Sequence, residues 1–135
     1  MEALSVVESA LRAMIAQDIE EHMRWIDDEV TLESSIAPPL TAKLRYLQEC
    51  APVLAPGTGI RLSRYEITHV RAPGPDGQWI ETTLTFEVSK DGKLFPRGPV
   101  EYVTQRSEAW YGVRDGRIVH VKTRSLPQAL HLSFQ

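Results

Sequence analysis

Two glutamates and an arginine that could take part in acid–base chemistry, namely Glu33, Glu108 and Arg106, occur in strand-like segments of the sequence. In IDDEVTLESS, Glu33 directly follows a Val-Thr-Leu run that favours a β-strand. In TQRSEAWYG, Arg106, Glu108 and Trp110 stand at alternate positions. Side chains two residues apart along a strand share one face, so these three are predicted to line the same surface.

Two carboxylates that meet in an apolar pocket can divide acid and base roles. Desolvation raises the pKa of a carboxyl group, so one of a pair can keep its proton near neutral pH. If the strand face is concave, Glu108 would lie across a pocket from Glu33. We then expect Glu33 to act as general base, Glu108 as acid or oxyanion donor, and Arg106 as the group that orients an anion or carbonyl. Such a site could move a proton beside a carbonyl, open an epoxide or close a ring.

The same residues also allow a structural interpretation. Glu33 could lie at a solvated strand edge, and Glu108 could pair with Arg106 on an outer sheet face. The Arg–Glu–Trp row could equally belong to a subunit interface. Both interpretations fit the pattern. The choice between them depends on where the neighbouring helices and strands place these residues.

The composition narrows the class of protein. The chain has 135 residues, of which 42% are hydrophobic and 24% charged, and its formal net charge is −3. These values predict a single domain over 1–135 with an ordinary core, and no basic footprint for nucleic acid or an anionic membrane. The start of the chain lacks the features of a signal peptide, and the apolar runs are short. We expect a cytoplasmic protein.

Metal and cofactor motifs are missing from the sequence. The four histidines show no HxxxH or similar spacing, and Cys50 is the one cysteine. No glycine-rich phosphate loop is present. The sequence therefore predicts no metal ion, no cofactor and no disulfide. The histidines are His22, His69, His120 and His131.

The first half of the sequence has helical periodicity. An apolar stripe runs from Leu4 to Ile15, a break is expected near Gln17, and Asp18 with Glu21 predicts a capped short helix up to about residue 25 or 26. SSIAPPL is predicted as a loop because of its two prolines. A third helix, TAKLRYLQECAPVL, would end or kink near Glu49 because Pro52 follows. Its predicted cap is Thr41, and its predicted buried stripe is Leu44, Leu47, Cys50 or Ala51, and Leu54.

The second half has the composition of β-strands. Four segments rich in Val, Ile, Thr and aromatic residues are separated by APGPDGQ, KDGKLFPRG and RDGR, and Asp-Gly favours tight hairpins. Helices followed by a four-stranded antiparallel meander predict an α+β fold, with the short Val30 strand at one edge. The segments are GIRLSRYEITHVRA, QWIETTLTFEVSK, PVEYVTQRSEAWYGVR and RIVHVKTR.

This order of elements, with the patterns WIDDEVTLES and SEAWYGVRDGRIV, resembles the nuclear-transport-factor-like, or cystatin-like, α+β cone. That superfamily includes ketosteroid isomerases, SnoaL-like polyketide cyclases, limonene-epoxide hydrolases and scytalone dehydratase. The resemblance implies three N-terminal helices packed on a curved, mostly antiparallel sheet over roughly residues 4–126. By position, Glu33 matches the base aspartate of the isomerases and Glu108 their protonated acid. The isomerases' pocket tyrosine falls near Ala10 and is missing.

The resemblance implies a small apolar, carbonyl-containing substrate such as a polyketide intermediate, and an isomerase, cyclase or dehydratase reaction. The alternatives are a non-catalytic ligand-binding or dimerisation module, and an epoxide hydrolase or epoxide-opening cyclase. A homodimer through the sheet is also implied. The residues predicted to contact substrate are Trp25, Met14, Tyr65, His69, Phe86 and Trp110. The alternative for Tyr65 and His69 is a packed or surface role, and for the other four an ordinary place in the core.

Overall fold

Three helices and a seven-stranded sheet make up the part of the chain that the computed structural model describes, which is residues 2–34, 37–41, 43–89, 101–126 and 132–134. The helices are α1 (Ala3–Ile15), α2 (Ile19–Arg24) and α3 (Lys43–Leu54). The strands are β1 (Ile26–Ser34), β2 (Ala37–Thr41), β3 (Ile60–Val70), β4 (Gln78–Ser89), β5 (Glu101–Arg114), β6 (Arg117–Ser125) and β7 (Leu132–Phe134).

The break between α1 and α2 lies where the sequence predicts it. Gln17 has a φ of 54°, a left-handed conformation that cannot continue a helix. Asp18 then accepts a hydrogen bond through Oδ1 from the backbone N–H of Glu21 at 3.1 Å, which caps the first turn of α2. The predicted capped short helix is confirmed.

Helix α3 departs from the prediction in three respects. It continues through Pro52 to Leu54 and does not end near Glu49. Thr41, the predicted cap, is the last residue of β2. The predicted buried stripe is confirmed for Leu47, Cys50 and Leu54 but not for Leu44, which is 66% exposed. Tyr46 is buried in its place, at 2% exposure, where its hydroxyl finds a buried polar partner in His22.

The prediction of a loop at 34–40 is wrong for the part that the structure describes. Residues Ala37–Thr41 form β2, which pairs antiparallel with β1. The Pro38–Pro39 pair is compatible with this position because β2 is the last strand in the sheet order, and an edge strand has one side that needs no ladder hydrogen bonds.

The four predicted long strands form the predicted antiparallel meander. The sheet order is β2-β1-β6-β5-β4-β3, and β7 pairs with β5. The predicted addition of the Val30 strand to one edge of the meander is confirmed, since β1 pairs with β6, although it runs parallel to β6 and β2 pairs with its other side. The Asp-Gly signal in RDGR is confirmed, because Asp115 and Gly116 have φ values of 53° and 75° in a two-residue turn between β5 and β6. The predicted turn KDGKLFPRG lies outside the described residues.

The hydrophobic core lies between the three helices and one face of the sheet. Helix α1 contributes Val6, Val7 and Leu11, all with no exposed surface. Alternate residues of the strands, including Val30, Ile80, Ala109 and Val121, pack against them. The α+β architecture predicted from the sequence is therefore confirmed.

Two further properties concern the described residues only. None of their helices combines the length and apolar character that a membrane crossing requires. Across the same stretches of chain, histidine, cysteine and carboxylate side chains do not come together in a group of three or more that could bind a metal ion.

Candidate functional site on the outer sheet face

The sheet has one face towards the helices and one face away from them. On β5, Ala109, Tyr111 and Val113 are buried in the core. Because side chains alternate along a strand, Glu108 and Trp110 project from the other side. We call that side the outer face. Its members that matter here are Glu33, Trp79, Glu81, Glu108, Trp110, His120, Lys122 and Arg124.

Strand register aligns several of these residues in one row across the sheet. Glu33 pairs with Lys122, which pairs with Trp110, which pairs with Glu81. His69 on β3 lies opposite Glu81 at the far end of the row. Directly opposed residues have neighbouring side chains, so acidic, basic and aromatic groups lie side by side across five strands.

Glu33 lies between two nitrogen-bearing side chains of β6. Its Oε1 is 3.2 Å from Nε2 of His120, and its Oε2 is 4.0 Å from Nζ of Lys122. Among the described residues, His120 Nε2 is shielded from solvent and makes no hydrogen bond, so its contact with the carboxylate is an ion pair only when the imidazole is protonated. The Glu33 side chain is 41% exposed, which leaves the carboxylate accessible from solvent.

Glu108 has a different partner. Its Oε2 accepts a hydrogen bond from a terminal amino group of Arg124 at 2.6 Å. The Arg124 guanidinium in turn lies over the Trp110 ring, 5.9 Å from its centroid. Glu108 is therefore held by a cation of the neighbouring strand and not by Arg106.

The predicted meeting of Glu33 and Glu108 in an apolar pocket is wrong in its geometry. Both side chains lie on the outer face, separated by two strand spacings of roughly 5 Å each and by one row. Each contacts a cationic or imidazole group. The reason is the parallel pairing of β1 with β6, which places Glu33 beside Lys122 and not in the helix-covered interior.

The sheet separates the predicted substrate-contacting residues into two sets. Met14, Trp25, Tyr65 and Phe86 pack in or against the core on the helix side. Trp110 and the exposed His69 lie on the outer face, and exposed Arg106 lines a separate groove of about 180 Å³ with Arg64 and Thr85. Tyr65 is the exception to this separation, since it also lines that groove beside Arg106. Whether any of these residues binds a substrate stays a prediction.

A groove of about 370 Å³ on the outer face is lined by two indoles and two cations. Its residues are Arg71, Trp79, Trp110 and Lys122. The Lys122 ammonium lies 5.4 Å from the centroid of the Trp79 ring, within cation–π range. The groove therefore combines flat apolar walls with positive charge.

Glu81 fixes two of the groove's walls at once. Its Oε2 accepts a hydrogen bond from Nε of Arg71 at 2.8 Å, and its Oε1 accepts one from Nε1 of Trp110 at 3.0 Å. The Arg71 hydrogen bond, followed by that of Trp110, lowers the pKa of Glu81. Glu81 thus stays ionised at neutral pH and orients both side chains.

Gly112 lets the Trp79 ring lie against the sheet. A Cβ atom on Gly112 would be 3.4 Å from two atoms of the Trp79 ring and 3.3 Å from Cβ of His120. The Trp79 and His120 rings contact each other at 5.2 Å between centroids with a tilt of 58°. Because Gly112 has no side chain, the Trp79 indole can pack against the His120 imidazole, which in turn faces Glu33.

A buried polar cluster joins the three helices through Ala10 of α1, His22 of α2 and Tyr46 of α3. His22 has no exposed surface, and its Nδ1 lies 2.8 Å from the carbonyl oxygen of Ala10 while its Nε2 lies 2.8 Å from the Tyr46 hydroxyl. A carbonyl can only accept, so Nδ1 donates to Ala10 and the Tyr46 hydroxyl donates to Nε2. Burial lowers the pKa of His22, against the raising effect of the Ala10 hydrogen bond. Burial also raises the pKa of Cys50, beside Tyr46, to about 12.

Sequence reasoning missed most of the groove. Trp79 and Glu81 alternate in QWIETTL, and His120, Lys122 and Arg124 alternate in RIVHVKTR. The sequence therefore indicates a polar face on β4 and another on β6. Local patterns do not connect these faces with Glu33, because they do not show which strand lies next to β1.

Comparison with solved structures shows the fold. A protein of unknown function with a cystatin-like fold from Xanthomonas campestris aligns with a TM-score of 0.70 at 18% identity, over 95% of this chain and 93% of that one. A proposed polyketide cyclase from Pseudomonas putida aligns with a TM-score of 0.65 at 15% identity, over 91% and 90%. A proposed isomerase from Bacillus subtilis aligns with a TM-score of 0.64 at 18% identity, over 93% and 86%.

No family model matches the chain, and no curated protein matches it. Similarity at these identities establishes architecture and not reaction. The chain therefore has the cystatin-like, nuclear-transport-factor-like α+β fold that the sequence predicted.

Proposed function

We propose that the protein is a cofactor-independent acid–base enzyme of the isomerase or cyclase type, acting in the outer-face groove on a small, largely apolar carbonyl compound. The observation that carries the proposal is the Glu33 carboxylate, accessible to solvent, in contact with His120 and Lys122 beside a groove walled by two indoles. The proposed cyclase and isomerase among proteins of similar fold support this class of chemistry.

Glu33 is the proton acceptor in this proposal. A carboxylate is ionised at neutral pH and can take a proton from the carbon beside a carbonyl. The C–H bond breaks, its electron pair moves towards the carbonyl oxygen, and the Lys122 ammonium stabilises the developing negative charge. In a β,γ-unsaturated ketone the resulting dienolate takes the proton back from Glu33 at the γ carbon, and the C=C bond moves into conjugation with the carbonyl, which completes an isomerisation.

His120 acts as a positioning residue for that carboxylate. Its Nε2 faces Oε1 of Glu33 and is shielded from solvent, so the imidazole does not itself reach a substrate through this atom. Glu108 is assigned no proton transfer, because its carboxylate binds Arg124. Lys122 replaces Glu108 as the group that supports the oxyanion.

Exchange of an acidic carbon-bound hydrogen for deuterium tests the proposal without knowledge of the natural substrate. The probe is 2-tetralone, a two-ring ketone, incubated with the protein in D₂O and followed by proton NMR against the uncatalysed background. We expect catalysed exchange in the unaltered protein and a loss of at least about 100-fold in Glu33→Gln, the usual minimum for a positioned base.

Glu66→Gln is the matched control, since Glu66 is an exposed glutamate of β3 that does not contact the groove. Its exchange rate should equal that of the unaltered protein, and circular dichroism should show that both variants fold. Equal rates in Glu33→Gln and Glu66→Gln would refute the assignment of Glu33.

A dimerisation face is the second candidate. Trp79 and Trp110 are only partly buried, and aromatic residues are enriched in protein interfaces. The outer face also carries both signs of charge, so one copy of it can complement a second copy related by a two-fold axis. If a second copy packs here, Trp110→Lys should convert a dimer to a monomer in sedimentation velocity, and Leu44→Lys on the exposed side of α3 should not. A monomer in the unaltered protein at all concentrations excludes this candidate.

A further inference from the structure

We propose that the outer-face groove selects a planar anion, namely a conjugated ring compound with a carboxylate that binds Arg71 and a carbonyl that faces Lys122 and Glu33. The proposal rests on the proposed function for the role of the carbonyl end. It adds the charge, the shape and the orientation of the ligand, none of which the acid–base assignment requires.

The charge preference follows from the contacts of Arg71. Its Nε is used by Glu81, while its side chain remains 57% exposed and lines the groove. Among the described residues, no hydrogen bond uses the two terminal amino groups of Arg71, so these groups can donate to a ligand. A guanidinium offers parallel N–H groups that match the two oxygens of a carboxylate.

The shape preference follows from the two indoles. Trp110 is held by its hydrogen bond to Glu81, and Trp79 is held between Gly112, His120 and the Lys122 ammonium. Fixed flat surfaces stack on flat rings at little cost in side-chain entropy. A planar ligand therefore gains more from these walls than a bulky saturated one.

The length of the ligand follows from the sheet. Glu81 on β4 and Lys122 on β6 are two strands apart, which corresponds to roughly 10 Å. The groove volume of about 370 Å³ lies at the small end of the range for ligand sites. A two-ring acid spans that distance.

The orientation follows from the unequal ends of the groove. At the Lys122 end, the Glu33 carboxylate lies 4.0 Å from the ammonium and would repel a second negative group. At the Arg71 end, Glu81 has both oxygens hydrogen-bonded, to Arg71 and to Trp110. The carboxylate of the ligand therefore binds at Arg71, and the neutral carbonyl lies beside the proton acceptor.

Binding of 2-naphthoate and of its neutral analogue 2-naphthamide tests the proposal. Both quench tryptophan fluorescence when they stack on indole, so dissociation constants are measured by titration at low ionic strength. We expect 2-naphthoate to bind at least about 5-fold more tightly than 2-naphthamide. In Arg71→Gln this preference should disappear, with the binding of 2-naphthamide kept.

Arg64→Gln is the matched control, because Arg64 is an exposed arginine of β3 on the same face that lines a different groove. It should keep the full preference for the anion. Equal binding of the two probes to the unaltered protein, or equal effects of the two arginine variants, overturns the proposal.

Deuterium exchange of 2-tetralone, measured on the same samples, separates this proposal from the proposed function. Exchange without a preference for 2-naphthoate refutes the anion site and leaves the enzyme assignment. A preference that depends on Arg71 without any exchange confirms the anion site and refutes the enzyme assignment.

Discussion

Acidification should destabilise the protein through His22. The imidazole is fully buried and contacts the Ala10 carbonyl from α1 and the Tyr46 hydroxyl from α3, and Tyr46 in turn interacts with Cys50 and Tyr111. Burial raises the pKa values of Tyr46, Cys50 and Tyr111, so all three are neutral between pH 5 and 7. Among the residues that the structure describes, no negative charge therefore acts on His22 to stabilise its protonated form.

The size of the effect follows from linkage between proton binding and folding. The pKa of His22 is lowered in the folded protein, so the unfolded chain binds more protons once the pH falls below its ordinary value of 6.5. The contribution of His22 to the free energy of unfolding is then complete above pH 6.5. It decreases below pH 6.5 by up to about 1.4 kcal/mol per pH unit. If the folded form takes up no proton, the loss between pH 7 and pH 5 reaches at most about 2 kcal/mol.

Urea unfolding at pH 7, 6 and 5 measures this loss, and His22→Gln isolates it. The difference in unfolding free energy between the unaltered protein and His22→Gln should shrink as the pH falls, because the variant has no imidazole to protonate. His69→Gln removes an exposed histidine and should keep the original pH dependence. A difference that stays constant from pH 7 to pH 5 would refute the reasoning, as would a ring resonance of His22 that titrates near pH 6.5.

Two further substitutions test the packing around the two clusters. Tyr46→Phe leaves Nε2 of His22 buried without a donor. The unfolding free energy should therefore fall by about 1 to 3 kcal/mol in urea titrations at pH 7. An unchanged value would contradict the hydrogen bond. Gly112→Ala places a Cβ atom 3.4 Å from the Trp79 ring, so we expect a loss of about 1 kcal/mol and weaker 2-naphthoate binding, whereas an unchanged Trp79 indole resonance would contradict the close contact.

The fold was predictable because its signals are local. Helical periodicity, the Asp18 cap and the Asp-Gly turn each depend on residues close in sequence, and each is found in the structure. The buried face of α3 was not predictable from apolar residues alone. Tyr46 is buried in place of Leu44 because its hydroxyl binds His22, which belongs to a different helix.

The site was predictable only in part, for a similar reason. Strand alternation correctly placed Arg106, Glu108 and Trp110 on one face. It could not say which strand lies next to Glu33, and the parallel pairing with β6 is what brings His120 and Lys122 to that carboxylate. Long-range register, which no local pattern encodes, therefore decided the chemistry of the site.

The three tryptophans allow the most direct test of where a ligand binds. Trp79 and Trp110 line the outer-face groove, whereas Trp25 packs against the core on the helix side. Titration of the ¹⁵N-labelled protein with 2-tetralone should shift the indole N–H resonances of Trp79 and Trp110 and leave that of Trp25 in place. A shift of the Trp25 resonance alone would locate the ligand in the helix-covered interior and contradict the assignment of the site to the outer face.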